Sequence, residues 1–268
     1  REEPDASVML AARLASEGIE VCTAAQTESI GSSELVATHN GERRVIPFDQ
    51  LLVATGRRAN TAELGLERFG IELKPDGTIR VDAHLQSSCP NVYACGDVAG
   101  PYQLTHVAAH QAWHCAMNAL LGGLWRFRIH YSAIPVVIFT DPEIARVGLT
   151  ETEATAQGVE FEVTNYGMDE LDRAIADGAS TGFVKVLTAP GSDRLLGVTI
   201  AGPQAGELIA EFTLAMRHGL GLKKVLATVH AYPTLAEANR FVAGQWQRDH
   251  LPTRLLRLAG RYHKWRLG

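Results

Sequence analysis

The 268-residue sequence predicts an α/β first half followed by an α+β second half, and three observations carry that reading. A capped helical pattern at residues 5–17 runs straight into several strand-like segments at short intervals. A short apolar run, Val92 to Cys95, ends on the Gly96–Asp97 pair and gives way to a second helical pattern. Beyond Tyr131 the strands and helices are grouped, with a set of adjacent strands followed by long helices.

Taken in order, DASVMLAARLASE places apolar residues at helical spacing behind Asp5 and Ser7 as candidate caps, with Gly18 as the stop. IEVCTA, ELVATHN, RRVIPF and QLLVATG then read as strands. Asn40–Gly41 marks a hairpin turn between two of them, because both residue types tolerate the left-handed backbone of a two-residue loop. From Arg57 come turn signals and a short helix, NTAELGLERFGI, then a turn at Pro75 to Gly77 and the alternating TIRVDAHLQ. Val92–Cys95 reads as a buried strand, and Thr105–Leu121 as a helix closed by Gly122 and Gly123. The second half offers AIPVVIFT as a buried strand, a DPE turn and a helix near Thr150 to Gln157. FVKVLTA and LLGVTIAG follow, joined by PGSD, and then a long helix from Pro203 to His218. The final helix is expected to start at Pro233, whose missing N–H costs nothing at the first helical position.

Composition narrows the function. A hydrophobic content of 46% with 25 Gly and 11 Pro is that of an ordinary globular chain and excludes disordered and collagen-like classes. The net charge of -5 has the wrong sign for bulk neutralisation of phosphates, so no nucleic-acid partner is expected. No apolar stretch approaches the roughly 18 residues of a membrane span. Cys22, Cys89, Cys95 and Cys115 are too few and too scattered for a disulfide framework and fit a reducing, cytoplasmic compartment. REEPDAS holds neither an initiator Met nor an apolar signal region and reads as a cut through a longer chain. His106, His110 and His114 share one helical stripe, but the outer pair are about 12 Å apart along the axis, too far for one ion, and no metal site is expected. The tail QRDHLPTRLLRLAGRYHKWRLG is basic, with Leu255, Leu256 and Leu258 among Arg254, Arg257 and Arg261. It reads first as a solvated end whose leucines pack on the domain, and second as a segment lying on an anionic membrane or a partner.

Asp97 follows a predicted strand and a Gly, which places it at the carboxyl edge of a sheet, where open α/β folds bind ligands and a carboxylate suits a polyol; a turn and helix cap is the other reading of a lone Gly-Asp. LLVATG, VYACGDVAG, LTHVAAHQA, IFTDPEIARVGLTETEA and HAYPTLAEA occur in this order within Arg1 to His250. That series resembles the flavin-dependent pyridine nucleotide-disulfide oxidoreductases, the family of dihydrolipoamide dehydrogenase, glutathione reductase and mercuric reductase. The resemblance implies partial, Rossmann-like segments for FAD and NAD(P)H followed by an α+β dimerisation domain. Residues 1–57 would end the NAD(P)-binding domain, 58–130 would end the FAD-binding domain, 131–250 would form the dimerisation domain, and 251–268 a basic tail. It further implies that Asp97, behind Gly96, hydrogen-bonds the flavin ribityl chain. The backbone at Leu104, Thr105 and His106 would face the pyrimidine end of the ring, where helix N–H groups and the helix dipole stabilise negative charge near N1. Thr55 and Gly56 would mark the return from the nicotinamide domain to the flavin domain.

By the same resemblance the protein is a homodimer, and the family's His-Pro-Thr, with a Glu five positions after the His, reaches the partner's active site. Here the stretch is Tyr232, Pro233, Thr234 with Glu237. A phenol of ordinary pKa about 10 is a poor proton acceptor at neutral pH, whereas an imidazole near 6.5 is well matched. His230, two residues early, is a lesser candidate base. Mercuric reductases also lack the family His and have a Tyr nearby, so that branch is the nearer one, although their C-terminal cysteine pair has no counterpart after Cys115. The family's C-x-x-x-x-C redox pair and its two GxGxxG loops are not in the sequence, Cys89 and Cys95 read as structural, and the chain reads as the C-terminal portion of such an enzyme. The implied function is an FAD-dependent NAD(P)H oxidoreductase, mercuric-reductase-like, with a small-molecule or metal-ion electron acceptor that Tyr232 and Glu237 orient or protonate. A non-catalytic dimerisation module, and a dihydrolipoamide dehydrogenase or glutathione reductase, are the alternatives.

Overall fold

The computed structural model describes residues 2–267, without the side chains of residues 253–256. Arg1 and Gly268, the outer ends of the first and last expected segments, lie outside the described residues. The chain is a mixed α/β and α+β structure in two units, Cys22–Tyr131 and a discontinuous unit made of Arg1–Val21 with Ser132–Gly268. The first helix, α1 (Pro4–Ser16), belongs to the discontinuous unit. Its N-cap is Glu3 with Pro4 as the first helical residue. The expected caps do other work: Asp5 turns to Lys185, and the Ser7 hydroxyl donates to the Glu3 carbonyl at 3.3 Å.

In Cys22–Tyr131, β1 (Gln26–Ile30), β2 (Glu34–His39) and β3 (Glu42–Pro47) form an antiparallel three-stranded sheet. His39 pairs with Glu42 across a two-residue turn, and Asn40 and Gly41 both have positive φ, 52° and 79°, as that hairpin requires. Two expected strands do not form. IEVCTA ends in a left-handed Ala24 (φ 59°) that breaks an extended run, and Ile19 and Val21 are exposed. QLLVATG has no pairing strand among the described residues and leaves Leu52 89% exposed; a continuous apolar run is buried only where ladders flank it. Val92–Cys95 is likewise no strand. It makes one isolated bridge, Gln86 to Tyr93, because left-handed Asn91 and Gly96 bracket it too closely for a ladder. A short 3-10 turn, Gly96–Val98, leads to α2 (Thr105–Leu121) with Gly122 as its C-cap, as its pattern predicts.

The discontinuous unit is built on an antiparallel five-stranded sheet. β4 (Val136–Ile138), β5 (Glu143–Gly148), β6 (Glu162–Gly167), β7 (Phe183–Thr188) and β8 (Leu195–Gly202) lie in the order β4-β5-β8-β7-β6. The AIPVVIF run, expected to be buried, supplies only the half-buried edge strand β4 and leaves Phe139 82% exposed. α3 (Glu151–Ala156) starts with a capping box in which Thr150 and Glu153 satisfy each other's backbone N–H groups. After α4 (Asp172–Ala176), one sheet face is covered by α5 (Ala205–Arg217), α6 (Leu222–Ala227) and α7 (Glu237–Asp249). Val184, Val186, Val198 and Ile200 meet Ile209, Phe212, Val242 and Trp246 there. The other face meets α1 through Ala6, with Ile144, Ala201 and Phe183 against it. Every residue of β8 is therefore buried, which is why LLGVTIAG reads as an unbroken apolar run.

On the α1 side of the sheet, Lys185 is buried and paired with Glu3 (3.6 Å), Asp5 and Glu151 (2.5 Å). Burial alone lowers the pKa of this lysine, but the carboxylates outweigh it and hold the ammonium above its ordinary range. α7 begins at Glu237, not at Pro233. The intervening residues form a turn in which the Thr234 hydroxyl donates to the Ala231 carbonyl (2.7 Å) and the Thr234 N–H to Glu237 Oε2 (3.2 Å). Beyond it, α8 (Thr253–Leu267) is helical, and the expected packing of tail leucines fails for Leu258, which is 58% exposed; the side chains of Leu255 and Leu256 are outside the described set.

His250 caps α7 with Nδ1 at 2.8 Å from the Trp246 carbonyl and Nε2 at 2.8 Å from Glu162 Oε2, its ring stacked on Trp246. Burial lowers its pKa, but the two acceptors outweigh burial and hold it above 6.5; the same bond, with the Gly191 N–H, holds Glu162 below 4.5. The raised base contributes stability that is present below about pH 6.5 and lost as pH rises through its folded value. The lowered acid contributes above its unfolded value and loses that contribution as pH falls through its folded one. His250→Gln is therefore expected to lower the melting temperature at pH 6 and to change it little at pH 9, as differential scanning calorimetry would record.

Candidate functional site

In the Cys22–Tyr131 unit the sequence-predicted residues Gly96 and Asp97 lie on the 3-10 turn ahead of α2. Gly96 has φ 76°, and a Cβ there would stand 3.3 Å from the Ala108 Cβ, so only glycine gives both the conformation and the close approach to the helix. The Asp97 carboxylate is 41% exposed, 4.0 Å from Arg57 Nη1, and the same guanidinium donates to the Gln103 carbonyl at 3.3 Å. Gln103 returns a bond to the Arg57 carbonyl at 3.4 Å, which brings the segment after Thr55 and Gly56 to the loop before α2. Thr55 and Gly56 are themselves exposed backbone outside any strand. Leu104 is the N-cap of α2, and no side chain caps it. Thr105 and His106 follow on the first turn, both exposed.

The residue that holds this arrangement together was not singled out from the sequence. Gln111 is fully buried; its Oε1 accepts from the Gly96 N–H at 2.6 Å, and its Nε2 donates to the Gly100 carbonyl (2.9 Å) and the Tyr131 hydroxyl (2.8 Å). The signal was present. The buried stripe of α2 is Val107, Gln111, His114 and Asn118, polar at three of its four positions, while Trp113 and Leu120 are exposed. Asn118 works in the same way, bonding His84 and Phe127 backbone groups. His114 Nδ1 lies 2.9 Å from the His110 carbonyl, and among the described residues no group of three His, Cys, Asp or Glu is placed to hold a metal ion. Cys115 hydrogen-bonds the Ala94 carbonyl at 3.6 Å, and burial, with Cys95 beside it, pushes its thiol pKa up to about 12.

In the discontinuous unit the Tyr232 ring is 71% exposed and its hydroxyl donates to Asp172 Oδ2 at 3.1 Å. That bond, with the charge of Asp172, raises the phenol pKa above 10. Glu237 is buried and bonds the Thr234 N–H, so it is Asp172, at the start of α4, that meets the phenol. His230 lies 3.1 Å from both oxygens of Glu211, which also accepts from Asn239 at 2.9 Å; these bonds brace the segment leading to Tyr232. Asp172 and Glu211 lie far from Tyr232 in sequence, on α4 and α5, and no motif spacing points to them.

Residues 134–241 match the dimerisation domain of the pyridine nucleotide-disulphide oxidoreductases, and residues 1–112 match the pyridine nucleotide-disulphide oxidoreductase domain. The chain belongs to the pyridine nucleotide-disulphide oxidoreductase family. A dihydrolipoyl dehydrogenase of Chlamydia muridarum is 39% identical over 87% of the chain and 50% of its own length. A mercuric reductase of Acidithiobacillus ferrooxidans is 34% identical over 93% of the chain and 45% of its own length. The crystal structure of LpdA from Mycobacterium tuberculosis superposes with a TM-score of 0.81 at 27% identity, covering 92% of this chain and 53% of that one. The chain thus spans about half the length of the curated relatives it matches. Within the chain, Asp172, Glu211, His230, Tyr232 and Glu237 all fall in the dimerisation match, Asp97 and Gln111 fall in the other, and α8 lies beyond both.

Proposed function

We propose that the intact protein is an FAD-dependent NAD(P)H oxidoreductase that works as a twofold homodimer, nearer in its acceptor chemistry to the mercuric reductases than to the dithiol-disulfide enzymes. A flavin would supply two-electron transfer between nicotinamide and acceptor. The residues at hand suit part of such a group: Asp97 offers a half-exposed carboxylate to a polyol, Gly96 gives the turn its left-handed backbone close to α2, and the start of α2, whose N-cap Leu104 makes no side-chain cap bond, would face the group with Leu104, Thr105 and His106. Thr55 and Gly56, tied through Arg57 to the same loop, complete the proposed contact surface. The isolated 268-residue chain is expected to retain little FAD, since these contacts are few, and Asp97→Ala is expected to weaken what binding there is by about 1–3 kcal/mol. Absorbance near 450 nm after purification checks both, and one FAD per chain contradicts the first.

The observation that carries the acceptor reading is the phenol of Tyr232, which holds its proton against Asp172 where the family places an imidazole base. Tyr232 would orient or protonate an acceptor by donating or sharing a hydrogen bond, with Glu237 bracing the turn behind it. Exposed Phe139, Leu214 and Val229 in the dimerisation match support burial against a second copy, which sedimentation at micromolar concentration tests. The 39% identity to a dihydrolipoyl dehydrogenase favours a second reading, lipoamide chemistry with another base. Turnover of NADH and NADPH by the intact enzyme against Hg(II), oxidised glutathione and lipoamide separates the two; preferred turnover of either disulfide overturns the first. A purely structural dimerisation module would turn over none of them.

A further inference from the structure

The last helix carries chemistry that the family domains leave unused. α8 lies beyond both matched ranges, and none of its described side chains is buried. Leu258, Tyr262 and Trp265 succeed one another at steps of four and three, which sets them on one face, with the Tyr262 and Trp265 rings 6.1 Å apart and Trp265 80% exposed. Arg257, Arg261 and Lys264 follow the same steps one place earlier, so a cationic stripe runs beside the apolar one. The helix holds no Asp or Glu, although the whole chain carries a net charge of -5; outside α8 the acidic excess is larger still.

We propose that α8 is an interfacial anchor that lays this chain on an anionic lipid surface. Its 15 residues make a helix about 22 Å long, short of the roughly 30 Å hydrocarbon core, and no described helix is long and apolar enough to cross a membrane, so the helix would lie in the plane of the headgroups. Tyr and Trp favour that depth because an apolar ring and a polar N–H or O–H are both satisfied there. The cationic stripe supplies the attraction, about fivefold in affinity for each Arg or Lys near an anionic surface. The acidic remainder of the molecule is repelled by the same surface, which leaves α8 as the point of contact.

Flotation of the 268-residue chain with phosphatidylcholine vesicles, alone or with one third phosphatidylglycerol, tests the proposal. The chain is expected to float with the anionic vesicles at low salt, to be released in about 0.5 M salt where screening is short-ranged, and to ignore neutral vesicles. Arg261→Gln with Lys264→Gln is expected to weaken binding about 25-fold, at fivefold per charge. Trp265→Ser is expected to weaken it at least tenfold; both sets of positions are exposed, so folding is not at stake. No flotation with anionic vesicles, or flotation unchanged in both variants, overturns the proposal. So does a smaller assembly for Leu258→Glu than for the unaltered chain in lipid-free sedimentation, since that assigns the apolar face to contact between copies.

Discussion

Tyr232→His is expected to raise the dihydrolipoamide turnover of the intact enzyme from a weak starting level by at least tenfold in kcat/KM. A positioned base contributes about 10² to 10⁴ in rate when its pKa lies near the working pH. The Tyr232 phenol begins far above that range, and its bond to Asp172 moves it higher still. An imidazole at the same place would be flanked by that carboxylate, which can orient the ring and stabilise its cation. Glu237→Gln in the His variant is expected to blunt the gain because it removes a second negative charge that acts on position 232, and to leave the turn folded because a Gln oxygen can still accept from the Thr234 N–H. Steady-state kcat/KM for dihydrolipoamide and oxidised glutathione across pH 6 to about 9, in the three proteins, decides the matter. Robust turnover by the unaltered enzyme, left the same or lowered by Tyr232→His, would remove the case for a mercuric-reductase-like acceptor.

Gln111→Leu is expected to cost the Cys22–Tyr131 unit about 3–5 kcal/mol, read from urea denaturation of the whole chain. The leucine fits the volume, but the Gly96 N–H, the Gly100 carbonyl and the Tyr131 hydroxyl all lose their partner, and the first two are buried. A domain stable by only 5–15 kcal/mol feels such a loss, and the turn bearing Asp97 should loosen with it. Gln111→Glu is the informative companion, since it keeps an acceptor for Gly96 while giving up the amide donor. A loss below about 1 kcal/mol in the Leu variant would mean that water replaces all three bonds.

Much of this was legible because local rules agreed with tertiary ones. The limits of α2, the Asn40–Gly41 turn, the Thr150 start of α3 and the FVKVLTA–LLGVTIAG pair were each fixed by spacing and turn chemistry within a few residues. IEVCTA and QLLVATG were misread because β-propensity says nothing about whether a neighbouring strand is available. Pro233 was misread as a helix start because Thr234 and Glu237 form a turn of their own first. At the candidate site, Asp97 and Tyr232 stood out through motifs, whereas Gln111 and Asp172 act through partners that only folding brings near. A polar residue on the buried stripe of α2 was the one readable hint, and it was obscured by the more familiar pattern of three histidines beside it.

The pairing of Lys185 with Glu3 and Asp5 makes the sheet unit a domain interrupted by another. Residues before Val21 return to a partner 180 positions later, so the chain must pass out of this unit and come back. One proteolytic nick near residue 131 would not release the unit whole, because its first helix would remain clasped to the other fragment by charges that no peptide bond holds; two cuts would be needed. The same threading sets an order during synthesis: at about 5–20 residues per second, α1 emerges ~10–40 s before the lysine that docks it, and must wait with its apolar face unclaimed.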